Sequence, residues 1–281
     1  MVSYNPKDWF NLIFHFHKSD TFRRLIPVML VVGAFTAVVT FFEKDVFHLE
    51  ETHSTVIYQL LGFVISLLLV FRTNTAYDRW WEGRKQWGAL VNASRNLSLK
   101  VRYFGSMEWE ERKEFIAEIV LYAEVLKLHL RDTKHAEIPA EMHQPNHIAS
   151  RLYLRLNNWY NDGKIDGDQL RILDGELKEL TDITGACERI RKTPIPYSYN
   201  IFIKKFIFVY VMSLPFALVN VYGYGLIPLV MFTLYVLASL ELIAEEIEDP
   251  FGEDANDLPT DMIAETIGKN LKELEEKVER V

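Results

Sequence analysis

The sequence contains a single cysteine, Cys187, among its 281 residues. One thiol excludes an intrachain disulfide framework and any metal site built from several cysteines. Basic residues are in the minority, with a formal net charge of −8, and they form no patch interleaved with aromatic residues, which argues against a nucleic-acid binder. The P-loop, the Rossmann glycine fingerprint, the GxSxG elbow and the HExxH motif are also missing, so the sequence does not indicate an enzyme.

Charged residues are missing from three long segments. Residues 25–42 and residues 56–71 contain none, and residues 206–240 contain no Asp, Glu, Lys, Arg or His over 35 positions. A helix needs roughly 20 apolar residues to cross about 30 Å of hydrocarbon, and helices in soluble cores rarely lack polar residues for so long. The first two segments therefore predict one transmembrane helix each.

The third apolar segment is too long for one crossing, since 35 helical residues would extend for about 52 Å. The sequence VYGYG at residues 221–225 contains two glycines and predicts a turn within it. Two transmembrane helices joined by a very short loop are expected there. The sequence thus predicts four crossings.

Flanking charges predict the orientation of these helices. The basic flanks all fall on one side of the four crossings: Arg23, Arg24, Arg72, Arg79, Arg84, Lys85, Lys204 and Lys205. The loop at residues 43–54 carries four acids and one lysine. Because basic flanks remain in the cytoplasm, we expect a multi-pass protein of the inner (plasma) membrane with both termini cytoplasmic.

The predicted fold is an all-α integral membrane protein, with four transmembrane helices continuous with a helical cytoplasmic domain. Amphipathic helices are expected over residues 108–130 and 166–190, whereas Pro145 predicts a loop at residues 143–147. The expected organisation is a cytoplasmic N-terminal segment (1–24), transmembrane helices 1 and 2 (25–71, the second being 56–71), a cytoplasmic helical domain (72–205), transmembrane helices 3 and 4 (206–240) and an acidic cytoplasmic C-terminal segment (241–281). That last segment has 14 acidic and 4 basic residues.

The second apolar helix has a regular pattern. Gln59, Phe63, Leu67 and Phe71 recur every four residues, and Gly62 and Ser66 form a neighbouring stripe of small residues that allows close helix approach in lipid. A bulky apolar stripe suits a helix that faces the axis of a symmetric ring, where an apolar constriction controls permeation by dewetting. The same residues also suit a surface that faces lipid, and periodicity alone favours that interpretation.

Two pairs of histidines are candidate metal ligands. His15 and His17 alternate with phenylalanines and suit an interfacial position better than a metal site. His143 and His147 have helical spacing, but Pro145 lies between them and argues against a shared helix. Neither pair is a strong candidate.

Three stretches resemble the bestrophins, in the bacterial branch of that family. They are FRTNTAYDRWWEGRKQWGAL (71–90), GACERIRKTPIPYSY (185–199) and EDPFGEDANDLP (248–259). The RWW sequence is similar to that after the pore helix of animal members, and PFGED with its trailing acids is the most recognisable family stretch. The matches extend from about residue 10 to residue 265, in the order and membrane context that the family requires.

The resemblance implies a homopentameric ion channel whose second helices surround one axial pore. Aligned through Arg72 and Arg79, the narrow apolar neck falls on Phe63, Leu67 and Phe71, above a long cytoplasmic vestibule. Animal members have Ile and Phe at the neck. A second constriction of the family falls near Asp168 to Leu170, which includes Gln169.

The resemblance also implies a place for a calcium clasp, although no cofactor is required. The matching positions are Glu246, Asp249, Asp254 and Asp257. Glu246 and Asp249 depart from the amide side chains of animal members, and Asn256 replaces one acid of their run. Calcium takes six to eight oxygen ligands, so the departures weaken the expected site, and bacterial members are not generally regarded as calcium-gated.

The family label indicates chloride, whereas some bacterial relatives favour monovalent cations. The acidic tail and outer loop raise the local cation concentration, and no basic residue lies in the apolar stripe, so we expect a pore permeable to Na⁺ or K⁺ rather than to Cl⁻ alone. Expected partners are further copies of the chain, the lipid bilayer and the permeant ion. A membrane-anchored helical scaffold without ion flux is the alternative, while a transporter is disfavoured because no charge lies within the apolar segments.

Overall fold

The structure is a computed structural model that describes residues 21–48 and 55–276. These residues contain helices and no strand. In chain order the α-helices are α1 (Thr21–Phe41), α2 (Val56–Tyr103), α3 (Trp109–Leu130), α4 (Gln144–Asn161), α5 (Gly167–Lys192), α6 (Tyr197–Tyr222), α7 (Leu226–Glu248) and α8 (Thr260–Glu276). The predicted all-α fold is confirmed, and the pair His15 and His17 lies outside the described residues.

Three helical stretches are long and apolar enough to cross a membrane: Thr21–Val46, Val56–Tyr103 and Tyr197–Glu248. The third is interrupted by a 3₁₀ turn at Gly223–Gly225, which separates α6 from α7. Gly223 has a φ of +52°, a conformation that glycine adopts without steric cost. The predicted break within residues 221–225 is therefore confirmed, and α6 and α7 pack against each other as a hairpin.

Helix α2 is much longer than the apolar segment that predicts its first part. Its 48 residues extend for about 72 Å at 1.5 Å per residue, more than twice the thickness of the hydrocarbon core. The residues after Phe71 continue the same helix without a break. The expectation that a membrane helix continues into the charged part of the chain is confirmed.

The described residues form two compact units. The first contains α1, α6, α7 and the part of α2 up to Arg79. Helix α1 packs on α7 and α6, and the buried apolar side chains of this unit include Val32, Ile65, Leu69 and Val230. The hydroxyl groups of Thr36 and Thr40, also buried, donate to carbonyl groups one turn earlier in α1.

The second unit contains α2 from Trp80 onward, together with α3, α4, α5 and α8. Its core is built from large side chains that are fully buried, among them Trp87, Phe115, Tyr122 and Leu126. The hydroxyl group of Tyr122 donates to the carbonyl oxygen of Leu180, 2.9 Å away, so that this buried hydroxyl is satisfied. Helices α3, α4 and α5 all contact one another.

The predicted loop at residues 143–147 is wrong. Helix α4 begins at Gln144, with His143 as its N-cap and Pro145 within its first turn. Proline is well tolerated there, because the first-turn N–H groups have no partner within the helix. The expected helices over 108–130 and 166–190 are confirmed as α3 and α5.

Candidate functional site

One face of α2 carries exposed apolar side chains. Phe63, Leu67 and Phe71 are 68%, 45% and 56% exposed in the single chain, whereas Ile65 and Leu69 on the opposite face are each 1% exposed and enter the core of the first unit. Helical periodicity separates the two sets by about half a turn. The predicted neck residues thus share the exposed face of α2, opposite the face that enters the core of their own unit, and their place in a pore stays a prediction.

The small-residue stripe of α2 brings another helix close. A methyl group at Gly62 would lie 2.7 Å from the hydroxyl oxygen of Tyr210 on α6. Real Cβ atoms do not approach so near, so glycine is required for this approach. Ser66 donates its hydroxyl hydrogen to the carbonyl oxygen of Gly62, 2.8 Å away, which satisfies the hydroxyl within α2.

A buried ion-pair network joins α2 to α7. Arg72 is fully buried, and one of its terminal nitrogens donates to Oε2 of Glu248 at 2.7 Å. Its Nε atom lies 3.6 Å from a carboxylate oxygen of Glu241, which is also buried. The backbone N–H of Ile195 donates to the other oxygen of Glu248 at 2.6 Å, and Arg79 donates to the Glu248 carbonyl group at 3.0 Å. The network fixes α2 to the end of α7.

Sequence reasoning misses this network. It treats Arg72 as a basic flank of a membrane helix and as a point of alignment with the family, and it treats Glu241 and Glu248 as parts of the acidic tail, with Glu248 also opening a family stretch. The sequence offers no signal for it, because only the structure shows that Arg72 shares a buried face of α2 with Ile65 and Leu69. A charge on the buried face of a helix requires a partner of opposite charge.

Glu246, one of the four predicted clasp residues, is a buried carboxylate with two partners. Arg24 donates to its Oε1 atom at 2.7 Å, and the amide group of Asn256 donates to Oε2 at 2.7 Å. Both oxygens are therefore occupied, and the arginine already supplies a positive charge. This arrangement does not fit a carboxylate that is available to calcium.

The other three predicted clasp residues differ in environment. Asp249 and Asp254 are exposed, whereas Asp257 is 2% exposed. A methyl group at Gly252 would lie 2.7 Å from Oδ2 of Asp257, so this close approach requires glycine. Glu246 and Asp254 belong to the first unit, and Asp249 and Asp257 belong to the second. Calcium binding by these residues stays a prediction.

Arg131, at the end of α3, holds the carboxylate segment (residues 248–259) and the start of α8. It donates to the carbonyl group of Phe251 at 3.3 Å and to the Thr260 hydroxyl at 2.9 Å. It also binds both oxygens of Asp261, at 3.1 and 2.6 Å. The hydrogen bond from Arg131 lowers the pKa of Asp261, against the smaller effect of partial burial, and Lys127 adds to the lowering.

The predicted cytoplasmic constriction lies in the first turn of α5. The side chain of Gln169 accepts a hydrogen bond from the N–H of Asp166, at 3.0 Å, and thereby completes a capping box. Asp168 is exposed and pairs with Arg171, while Leu170 is half-buried against the core of the second unit. The structure assigns capping to Gln169, and a constriction at these residues stays a prediction.

Apolar helices that can cross a membrane, one of them extending into a separate helical unit, define a multi-pass helical membrane protein. The chain belongs to the bacterial and fungal bestrophin family, because the family model described as Bacterial/Fungal Bestrophin protein matches residues 1–273. The resemblance seen in the sequence is confirmed. Bestrophins are ion channels, which is a class distinct from enzymes.

Several relatives support this assignment. A voltage-dependent anion channel-forming protein of Synechocystis is 36% identical over 230 residues, covering 76% of this chain and 75% of that protein. The voltage-dependent anion channel-forming protein YneE of Escherichia coli is 29% identical and covers 99% of this chain and 95% of its own. A crystal structure of a bacterial bestrophin homologue from Klebsiella pneumoniae has a TM-score of 0.83 at 27% identity, covering 89% of this chain and 98% of that one.

Proposed function

We propose that the chain forms a homopentameric, passive channel for monovalent ions in the inner membrane, with both termini in the cytoplasm. Five copies of α2 surround the axis, and Phe63, Leu67 and Phe71 form an apolar neck. The observation that carries the proposal is the exposed apolar face of α2 in a chain of the bestrophin family. Such a face, with a buried face opposite, suits a helix that packs on its own subunit and lines a shared pore.

The proposed gate acts by dewetting. A narrow ring of Phe and Leu side chains offers no hydrogen bonds to water or to ions, so a small change in its diameter decides whether a water column forms. No charge lies on the predicted neck. Because the channel is passive, the ion gradient and the membrane potential drive ions through it.

The proposed selectivity includes cations. The C-terminal segment from residue 241 has a net charge of −10, and an acidic approach concentrates cations near a pore. The names of the Synechocystis and E. coli relatives refer to anions instead. The sign of the reversal potential distinguishes the two selectivities.

The central experiment is a planar bilayer recording of the purified protein under a NaCl gradient. We expect currents whose reversal potential is shifted from zero toward the equilibrium potential of Na⁺. We also expect higher conductance when Phe63, Leu67 or Phe71 is replaced by Ala. Phe208→Ala is the matched control, because Phe208 is an equally exposed phenylalanine on α6. A chloride-side reversal potential would overturn the cation selectivity alone.

Two outcomes would overturn more than the selectivity. Conductance unchanged in all three α2 variants would remove the neck assignment while leaving a channel. No flux of Na⁺ or Cl⁻ from liposomes would replace the channel by a membrane-anchored scaffold. Native mass spectrometry of the detergent-solubilised chain tests the stoichiometry, for which we expect five copies.

The channel is proposed to conduct without calcium. Arg24 and Asn256 satisfy both oxygens of Glu246, and this observation supports the absence of a functional clasp. Recordings with a chelator and with added calcium should give equal currents for the native protein and for Asp254→Ala. Currents that rise with calcium in the native protein but not in Asp254→Ala would restore the clasp.

A further inference from the structure

Two histidines and a glutamate meet in the second unit, outside the apolar helices and the carboxylate segment. His129 lies in the last turn of α3, His143 is the N-cap of α4, and Glu188 lies on α5. These three helices contact one another. Tertiary packing thus brings together side chains that are far apart in the sequence.

The ligand atoms of the three side chains converge on one point. The Nε2 atoms of His129 and His143 lie 2.6 and 2.5 Å from the same oxygen of Glu188, Oε1. The centres of the two imidazole rings are 4.6 Å apart. One donor atom from each residue lies within 4.8 Å of the others.

The three side chains are neither deeply buried nor freely mobile. Their side chains are 15%, 35% and 19% exposed for His129, His143 and Glu188, so solvent ions have access to the group. Gln144, the first residue of α4, is fully buried and holds the loop before the helix, because it exchanges hydrogen bonds with the backbone of His135. These bonds hold the backbone next to His143 in place.

We propose that His129, His143 and Glu188 form a binding site for a divalent transition-metal ion, with Zn²⁺ as the best match. Two imidazole nitrogens and one carboxylate oxygen are a common set of three protein ligands for zinc, with the fourth position left to water. Carboxylate and imidazole donors without thiolate also suit Zn²⁺ better than softer ions such as Cu(I). The proposal is independent of the proposed channel function.

Binding requires a modest rearrangement. Ligand atoms about 2.0–2.2 Å from a tetrahedral zinc ion lie roughly 3.4 Å from one another. The carboxylate oxygen must therefore withdraw by less than about 1 Å from each imidazole, which a rotation of the Glu188 side chain can supply.

Other groups around the site oppose a positive ion and limit its affinity. Lys192 lies 3.5 Å from the second oxygen of Glu188, and Arg191 donates to the backbone carbonyl group of His129. The Nδ1 atom of His143 also accepts the N–H of Asn146 at 3.3 Å, a cap that the ring gives up when Nε2 binds a metal and Nδ1 takes the proton. We therefore expect weaker binding than at a structural zinc site with four ligands.

The test is zinc binding to the full chain, purified in detergent without a polyhistidine tag and washed with chelator. Isothermal titration and elemental analysis should give a stoichiometry of about one bound zinc ion per chain. His143→Asn removes the imidazole but keeps a good N-cap, and Glu188→Gln removes the charge but keeps the side-chain shape. Each variant should weaken binding by at least about tenfold.

The chain has eight histidines, so a matched control is needed. His147→Asn lies four residues further along α4, outside the cluster, and should bind as the native chain does. Co²⁺ should give visible d–d absorption in the native chain and in His147→Asn, and lose it in Glu188→Gln. Equal zinc binding by the native chain and both ligand variants would overturn the proposal, as would no binding by the native chain; in either case the three residues form only a hydrogen-bonded contact.

Discussion

At the scale of single residues, Arg72 is a positive charge on the buried face of α2. Its guanidinium group is removed from water completely, and its neighbours Glu248 and Glu241 are buried as well. Burying a charge carries a large desolvation cost unless a partner and hydrogen bonds compensate. The Arg72 contacts are therefore required by the folded state, whatever the chain conducts.

Arg72→Met should destabilise the chain by about 3–5 kcal/mol, because it leaves two buried carboxylates without their cation. Arg84→Met, an exposed arginine on the same helix, serves as control and should have little effect. Adding Glu248→Gln to Arg72→Met should recover part of the loss, since Gln still accepts the Ile195 N–H. Denaturant unfolding in mixed micelles measures the effect, and equal losses in Arg72→Met and Arg84→Met would contradict the network.

Asp261 provides a pH-dependent contribution at the same scale. Its pKa is lowered in the folded state, first by Arg131, so its stabilisation is complete above the unfolded pKa of about 3.9 and is lost as the pH falls through the folded value. Asp261→Asn should lower stability at pH 7 by about 1 kcal/mol or less, since the pair is largely solvated.

At pH 3 the difference between Asp261→Asn and the native chain should narrow. Thermal unfolding at both pH values gives this comparison. In an Arg131→Ala background the substitution should cost less at pH 7, because Lys127 alone then pairs with Asp261. A constant difference from pH 7 to pH 3 would show that the carboxylate charge contributes nothing.

At the scale of elements, α2 and the carboxylate segment meet within the second unit. The ring of Phe251 lies 3.1 Å from the position that a methyl group at Gly83 would occupy, and Leu258 lies 3.2 Å from it. The N–H of Leu258 donates to the carbonyl group of Pro250 at 2.9 Å, which closes the segment. The most recognisable family stretch thus has a packing role in this chain.

Phe251→Ala should destabilise the second unit by about 3–5 kcal/mol, because Phe251 is 1% exposed and its removal leaves a cavity against α2. Met262→Ala on α8 is the control, since that side chain is 60% exposed. Limited proteolysis and denaturant unfolding of both variants test the packing. Equal stability in the two variants would show that the segment is held by Arg131 alone.

At the scale of the whole molecule, the apolar helices of the first unit suit a lipid environment, whereas the charged helices of the second unit suit water. The first unit carries many exposed large apolar side chains, including Val31, Phe208 and Phe232. A soluble protein seldom exposes such surfaces without a partner, whereas lipid or further copies of the chain would cover them. The proposed orientation can be tested separately from conduction.

Cysteine labelling tests that orientation in the native background. Cys187 is fully buried, and burial raises the pKa of its thiol to about 12, so it should not react with maleimide. In intact spheroplasts an impermeant maleimide should label Val46→Cys, at the proposed outer loop. Lys178→Cys, on the second unit, should be labelled only after permeabilisation, and the reverse pattern would invert the proposed topology.

The sequence by itself determined the helical class, the apolar segments and the turn between α6 and α7. Each of these follows from local information: runs without charge, helical periodicity, and glycine at a positive φ. It also determined the family, because motifs such as EDPFGEDANDLP carry that resemblance directly. The loop predicted at residues 143–147 failed because Pro145 is compatible with the first turn of a helix, and local composition does not distinguish a first turn from a loop.

Only the tertiary structure decided which charges are buried and which side chains meet. Arg72 and Glu248 are 176 positions apart, and His129, His143 and Glu188 come from three helices. No local pattern encodes such contacts, because they depend on how helix faces pack. The partners of Glu246 could not be predicted for the same reason. Its acidic neighbours in the sequence suggest a calcium ligand, whereas in the folded chain Arg24 donates a hydrogen bond to it.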